Sequence, residues 1–147
     1  MANVRFYKTK GTYGCFTNFS KHPIELKGEV WPTTEHYYQA QKFADTEHES
    51  EIRLSPSAWH AAKRGRERCR PLRDDWEMIK EQVMYDAIKA KFTQHEDARQ
   101  VLLSTGDDTL IEDSPIDWYW GCGANGKGKN RLGVLLMQLR EELREQD

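Results

Sequence analysis

Three features of the chain predict a mostly helical α+β fold with a small sheet of short strands. Apolar residues recur at helical spacing through most of the stretch from Thr33 to Leu103 and again from Arg131 onward. Short β-type runs stand near both ends, at Val4–Tyr7, Ile24–Trp31 and Thr109–Glu112. No repeat, linker or low-complexity segment divides the 147 residues, which suit one domain, residues 1–147, with a core of its own.

Taken in order, Val4-Arg5-Phe6-Tyr7 alternates as a short strand. Gly11 to Ser20 is turn-rich around Phe16 and Phe19. Ile24-Glu25-Leu26 and Glu29-Val30-Trp31 flank Lys27-Gly28 as a hairpin. Pro32-Thr33-Thr34-Glu35 opens a helix through Phe43, with a threonine cap and Glu35 in the first turn. Spacing by three and four then puts Glu35, Tyr38, Gln39 and Lys42 on one face. Further helices are expected at Glu47–Leu54, from Ala58 to about Arg68, from Trp76 to about Phe92, at Glu96–Leu103, and from Arg131 to about Glu145. Thr109–Glu112 is expected as a strand.

Composition narrows the function classes. Charged residues make up 31%, mean hydropathy is −0.88, and no apolar run approaches the ~20 residues a membrane helix needs. The first five residues lack the apolar core of a secretion signal. Cys15, Cys69 and Cys122 are odd in number and form no CxxC pair, which suits free thiols in a reducing cytoplasm. A net charge of −2 gives no global attraction to nucleic acid, although Lys63–Arg70 with Arg73 is locally basic, the pattern of an ordinary solvated helix face.

The chemistry concentrates in Glu112–Asn130, an irregular stretch holding carboxylates, three aromatics and several glycines. Gly121-Cys122-Gly123-Ala124-Asn125-Gly126 spells GxGxxG, but no βαβ unit accompanies it, which excludes a dinucleotide fold. Two near matches to a phosphate loop, Gly121–Lys127 and Gly123–Lys129, are followed by Gly128 and Asn130 where Ser or Thr would hold Mg²⁺. A weaker expectation survives: glycine-exposed amides before a helix, beside Lys127 and Lys129, form a phosphate cradle. The scattered histidines show no metal spacing, so no metal and no cofactor is expected. Cys122 reads as a small, accommodating residue ahead of a nucleophile. Glu35, kept ionised at a helix N-terminus, and Asp117, beside a tryptophan-rich run, are the carboxylates that glycosidic cleavage through an oxocarbenium-like state requires. Their plainer alternatives are a helix cap for Glu35 and a local turn bond for Asp117.

The combination of Phe16-Thr17-Asn18-Phe19-Ser20, Trp31-Pro32-Thr33-Thr34-Glu35-His36-Tyr37-Tyr38-Gln39-Ala40-Gln41-Lys42-Phe43, Arg73-Asp74-Asp75-Trp76, Lys89-Ala90-Lys91-Phe92, Leu102-Leu103-Ser104-Thr105-Gly106 and the 112–130 stretch resembles the NADAR superfamily and its YbiA-like members over nearly the whole chain. Thr17 stands where that pattern has serine. The resemblance implies an N-glycosidase. YbiA-like members hydrolyse the C–N bond between ribose phosphate and pyrimidine in early riboflavin intermediates, and others remove ADP-ribose from guanine bases. It also implies Glu35, Asp117, Trp76 and Trp120 as catalytic, and assigns Asn18, Phe19, Lys42, Gly121, Gly123 and Asn130 to substrate binding. The expected partner is a ribosyl phosphate or ADP-ribosyl small molecule, with nucleic acid only if it carries ADP-ribosylated guanine, and no membrane. A non-catalytic ADP-ribose-binding module is the alternative from another class.

Overall fold

The computed structural model describes residues 2–146, so Met1 and Asp147, the ends of the expected domain, lie outside it. The fold is α+β with six helices and four short strands among the described residues. The strands form two ladders of two, and the chain divides into two compact units, Asn18–Gln94 and Met1–Thr17 with His95–Asp147.

The Asn18–Gln94 unit begins with strands β2 (Ile24–Leu26) and β3 (Glu29–Trp31), β1 (Asn3–Phe6) belonging to the other unit. They pair antiparallel with Ile24 opposite Trp31. Lys27 and Gly28 both take positive φ, 59° and 74°, as a two-residue turn matching the strand twist demands. Helices α1 (Thr34–Gln41), α2 (Glu47–Arg53) and α3 (Ala58–Arg66) each start from a hydroxyl: Thr33, Thr46 and Ser57 accept from the amides of His36, His48 and His60. Helix α1 is buried along its whole length, packed among α2, α3 and α4 (Trp76–Gln94). Its buried histidine is satisfied: Nε2 of His36 lies 3.0 Å from the Ser55 carbonyl and Nδ1 2.8 Å from the Thr33 hydroxyl. Burial pushes the imidazole below its ordinary range, so the neutral ring acts as a structural bridge.

In the second unit, β1 (Asn3–Phe6) runs parallel to β4 (Thr109–Glu112), Asn3 opposite Thr109 and Phe6 opposite Glu112. Tyr7 lies beyond the strand. Helices α5 (Glu96–Ser104) and α6 (Arg131–Glu145) complete it. Leu132, Leu135, Leu136, Leu139 and Leu143 of α6 form a buried stripe, and α6 packs on β4. This arrangement suspends residues 113–130 between a strand end and a helix start.

Candidate active site

Each unit carries one of the two carboxylates. In the Asn18–Gln94 unit the expected α1 face is real. Glu35 is 7% exposed, and its Oε2 accepts from Nε2 of Gln39 at 2.7 Å. Asn18 fixes where this helix begins: its carbonyl accepts the Glu35 amide at 3.1 Å, and its Oδ1 accepts the Thr34 hydroxyl at 2.8 Å. Asn18 therefore positions Glu35 through the backbone. Phe19, next to it, is 40% exposed.

Lys42 follows Glu35 by seven residues, two turns on, and is as buried as Glu35. Its Nζ reaches the Gly65 carbonyl at 3.4 Å and lies 5.8 Å and 6.0 Å from the ring centres of Tyr38 and Trp76. Burial drives the ammonium down to about 8, against the pull of Glu35, while Arg68 and Arg66 push the same way as burial. An amine so tuned is a poised cation and, to a fraction near neutral pH, a neutral nucleophile.

Trp76 reaches this face through the segment before α4. Arg73 grips Asp75 with two bonds, at 2.6 and 3.1 Å, and its amide donates to the Lys42 carbonyl at 3.1 Å. That docks the start of α4 on the end of α1. The Trp76 and Tyr38 rings then meet 5.1 Å apart at 60°. Sequence reasoning found Glu35, Lys42 and Trp76 but missed Tyr38 as the partner of Trp76 and Gln39 as the partner of Glu35. Their place on the Glu35 face was the available signal. It also missed Gly65: a side chain there would run into Gln39, so α3 crosses α1 with nothing between them.

The loop of the other unit is built from its own backbone. The amides of Gly128, Lys129, Asn130, Arg131 and Leu132 donate to the carbonyls of Cys122, Trp118, Gly121, Tyr119 and Trp120. These donors are consumed, so the five amides that lead into α6 are not open to a phosphate. Gly121 and Gly123 are glycines for space: a Cβ on Gly121 would sit 3.0 Å from the carbonyls of Glu112 and Asp117, and one on Gly123 would meet the Trp118 ring at 2.8 Å. Asn130, at φ 50°, ties the loop to β4, with Oδ1 accepting from the Glu112 amide and Nδ2 donating to the Leu110 carbonyl, both at 2.9 Å.

Asp117 makes the turn bond its neighbours suggested. Its Oδ1 accepts the amides of Tyr119 at 2.9 Å and Trp120 at 2.7 Å. The carboxylate is half-buried and held in one orientation, with Oδ2 accepting no hydrogen bond among the described residues. Trp120 is half-buried against Tyr119, ring centres 4.9 Å apart, whereas Trp118 is half-exposed. Cys122 is buried, and burial together with the Asp113 carboxylate pushes its thiol up, so it stays protonated and is a poor nucleophile. Among the described residues Glu47, His48 and Glu51 could converge on a cation, but Glu51 there already binds His48 and Arg70.

The NADAR domain model matches residues 5–144 and so spans both units. The chain belongs to the NADAR domain family. Among its relatives in that family is a Shigella flexneri protein named N-glycosidase YbiA, 54% identical over 140 residues, 95% of this chain and 88% of that one. A Nostoc punctiforme protein, also named an N-glycosidase, is 49% identical over 96% of this chain and 92% of its own length. A longer Vibrio vulnificus protein named for riboflavin biosynthesis is 39% identical over 97% of this chain, which spans 39% of it. The solution structure of Escherichia coli YbiA superposes with a TM-score of 0.91 at 51% identity, covering 99% of this chain and 86% of that one. No helix among the described residues is long and apolar enough to cross a membrane.

Proposed function

We propose that this chain is an N-glycosidase that hydrolyses the bond between ribose C1′ and nitrogen in phosphoribosylamino-pyrimidines of early riboflavin synthesis, working as one NADAR domain. The observation that carries the reading is the α1 face, where a buried carboxylate and a buried ammonium stand together beside two aromatic rings. Desolvation strengthens the interaction of a carboxylate with positive charge developing at C1′. The names of its close relatives, N-glycosidase in three genera, support the same chemistry.

In the proposed reaction the C1′–N bond breaks and its electron pair stays on the departing nitrogen. Water adds to C1′, giving one proton to a carboxylate, from which the leaving amine recovers it. Glu35 stabilises the cationic sugar, and Asp117, with its unengaged Oδ2, orients the water. Trp76 and Trp120 pack on the planar base and sugar. Asn18, Phe19, Lys42, Gly121, Gly123 and Asn130 serve binding, Asn18 and Asn130 through the backbone they hold in place. The reaction as written uses no metal.

One observation favours a second reading, removal of ADP-ribose from guanine: the cations beside Lys42 suit a ligand with more than one phosphate. Base release from a ribosylamino-pyrimidine phosphate and from ADP-ribosylated guanosine, followed side by side by chromatography, separates the two. Preferential release from the first is expected. Preferential release from the second assigns the alternative substrate, and ADP-ribose binding without any release makes the chain a binding module.

A further inference from the structure

The basic residues after Lys63 divide into two groups. Arg64 donates to the Ser55 hydroxyl at 2.9 Å, Arg70 pairs with Glu51 and Glu67, and Arg73 pairs with Asp75. Lys63 lies over the exposed ring of Trp59, 5.3 Å from its centre. Arg66 makes no hydrogen bond or ion pair among the described residues, and Arg68 makes one, a 3.4 Å bond to the neutral Gly65 carbonyl. Both are exposed, and both stand close enough to Lys42 to act on its charge.

We propose that Arg66 and Arg68, at the C-terminal end of α3, hold the phosphate of the substrate, a specificity subsite adjoining the α1 face. Gly65 fixes the place: it packs directly on Gln39, and its carbonyl receives both Lys42 and Arg68. The two guanidiniums therefore emerge from a pinned helix end beside Lys42, which itself stands two turns of α1 from Glu35. Glu67, between the two arginines in sequence, is taken by Arg70 at 2.7 Å, so Arg66, Arg68 and Lys42 gather positive charge that an anion would offset. A guanidinium presents its donors in a planar fork that matches phosphate oxygens, and it stays charged at any working pH. The subsite deepens the glycosidase reading and rests on it for the identity of the ligand, but its geometry lies within one unit.

The test replaces Arg66→Gln and Arg68→Gln, singly and together; both side chains are exposed, so unfolding midpoints should match wild type. Ribose 5-phosphate, ribose and ADP-ribose are titrated by calorimetry, and KM and kcat are measured on the phosphorylated pyrimidine substrate and its dephosphorylated form. Each substitution should weaken ribose 5-phosphate about tenfold, the size of one charge-assisted bond, and raise KM for the phosphorylated substrate alike. Ribose binding, kcat and KM for the dephosphorylated substrate should hold within about twofold. Unchanged ribose 5-phosphate binding in the double variant overturns the subsite, as does an equal loss of ribose, or wild type that favours neither phosphate over ribose. Loss of ribose 5-phosphate binding in a protein that cleaves no glycosidic bond keeps the subsite and removes the activity. A wild-type preference for ADP-ribose, abolished in the double variant, assigns the subsite to a diphosphate.

Discussion

Lys42 is kept charged in a buried position, and its replacement by methionine should show what that costs. The drop from the ordinary lysine value of 10.5 to about 8 corresponds to roughly 3 kcal/mol against the charged form, at about 1.4 kcal/mol per pH unit. That cost is net of the ring contacts, the long bond to Gly65 and the pull of Glu35, which all favour the ammonium. Lys42→Met, with nearly the same volume, should therefore be more stable than wild type at pH 7, by up to about 3 kcal/mol, while substrate affinity falls at least tenfold. Urea unfolding with a parallel activity assay measures both. The pH dependence has a fixed sign. Below about 8 lysine is charged in both states and the cost is fully present. Between about 8 and 10.5 the folded state releases the proton that the unfolded state keeps, so wild type gains on the variant as pH rises. A variant clearly less stable than wild type at pH 7, or a stability difference that does not move across that window, would refute the reasoning.

Three further outcomes are expected. Gly121→Ala puts a methyl against the Glu112 and Asp117 carbonyls and should cost about 1–3 kcal/mol, read as a lowered unfolding midpoint. Asn130→Ala removes both bonds to β4 and should cost about 2 kcal/mol. Asn130→Gly relieves only the positive φ and should recover less than half of that. Under native conditions a thiol reagent should label exposed Cys69 quickly and buried Cys122 only at the rate of unfolding, which mass spectrometry of the modified chain resolves.

The helices and strands were legible because their signals are local. Thr33, Thr46 and Ser57 cap the helices they precede, and Lys27-Gly28 dictates its own turn. The parallel pairing of β1 with β4 was not legible, since a four-residue strand carries no mark of a partner more than a hundred residues away. At the site, the α1 face followed from helical spacing alone, whereas the lowering of Lys42 comes first from burial that the tertiary packing creates, with Arg68 and Arg66 near the end of α3 adding to it. The 112–130 stretch misled in one respect. Its glycines read as open amides for phosphate, but those of Gly126 and Gly128 close the loop on itself, a hydrogen-bond economy that composition does not display. Asp117 shows both sides of this: the turn bond was readable from its neighbours, and the unengaged Oδ2 was not.

The central claim is that Glu35 acts on the sugar during C1′–N cleavage, and Glu35→Gln tests it most directly. Glutamine can keep the contact with Gln39 and the helix start at Asn18, so the fold should survive. The account predicts an unfolding midpoint near that of wild type with kcat for base release reduced about a thousandfold, the scale of losing one preorganised charge from a transition state. A folded Glu35→Gln protein that releases base at the wild-type rate would contradict it.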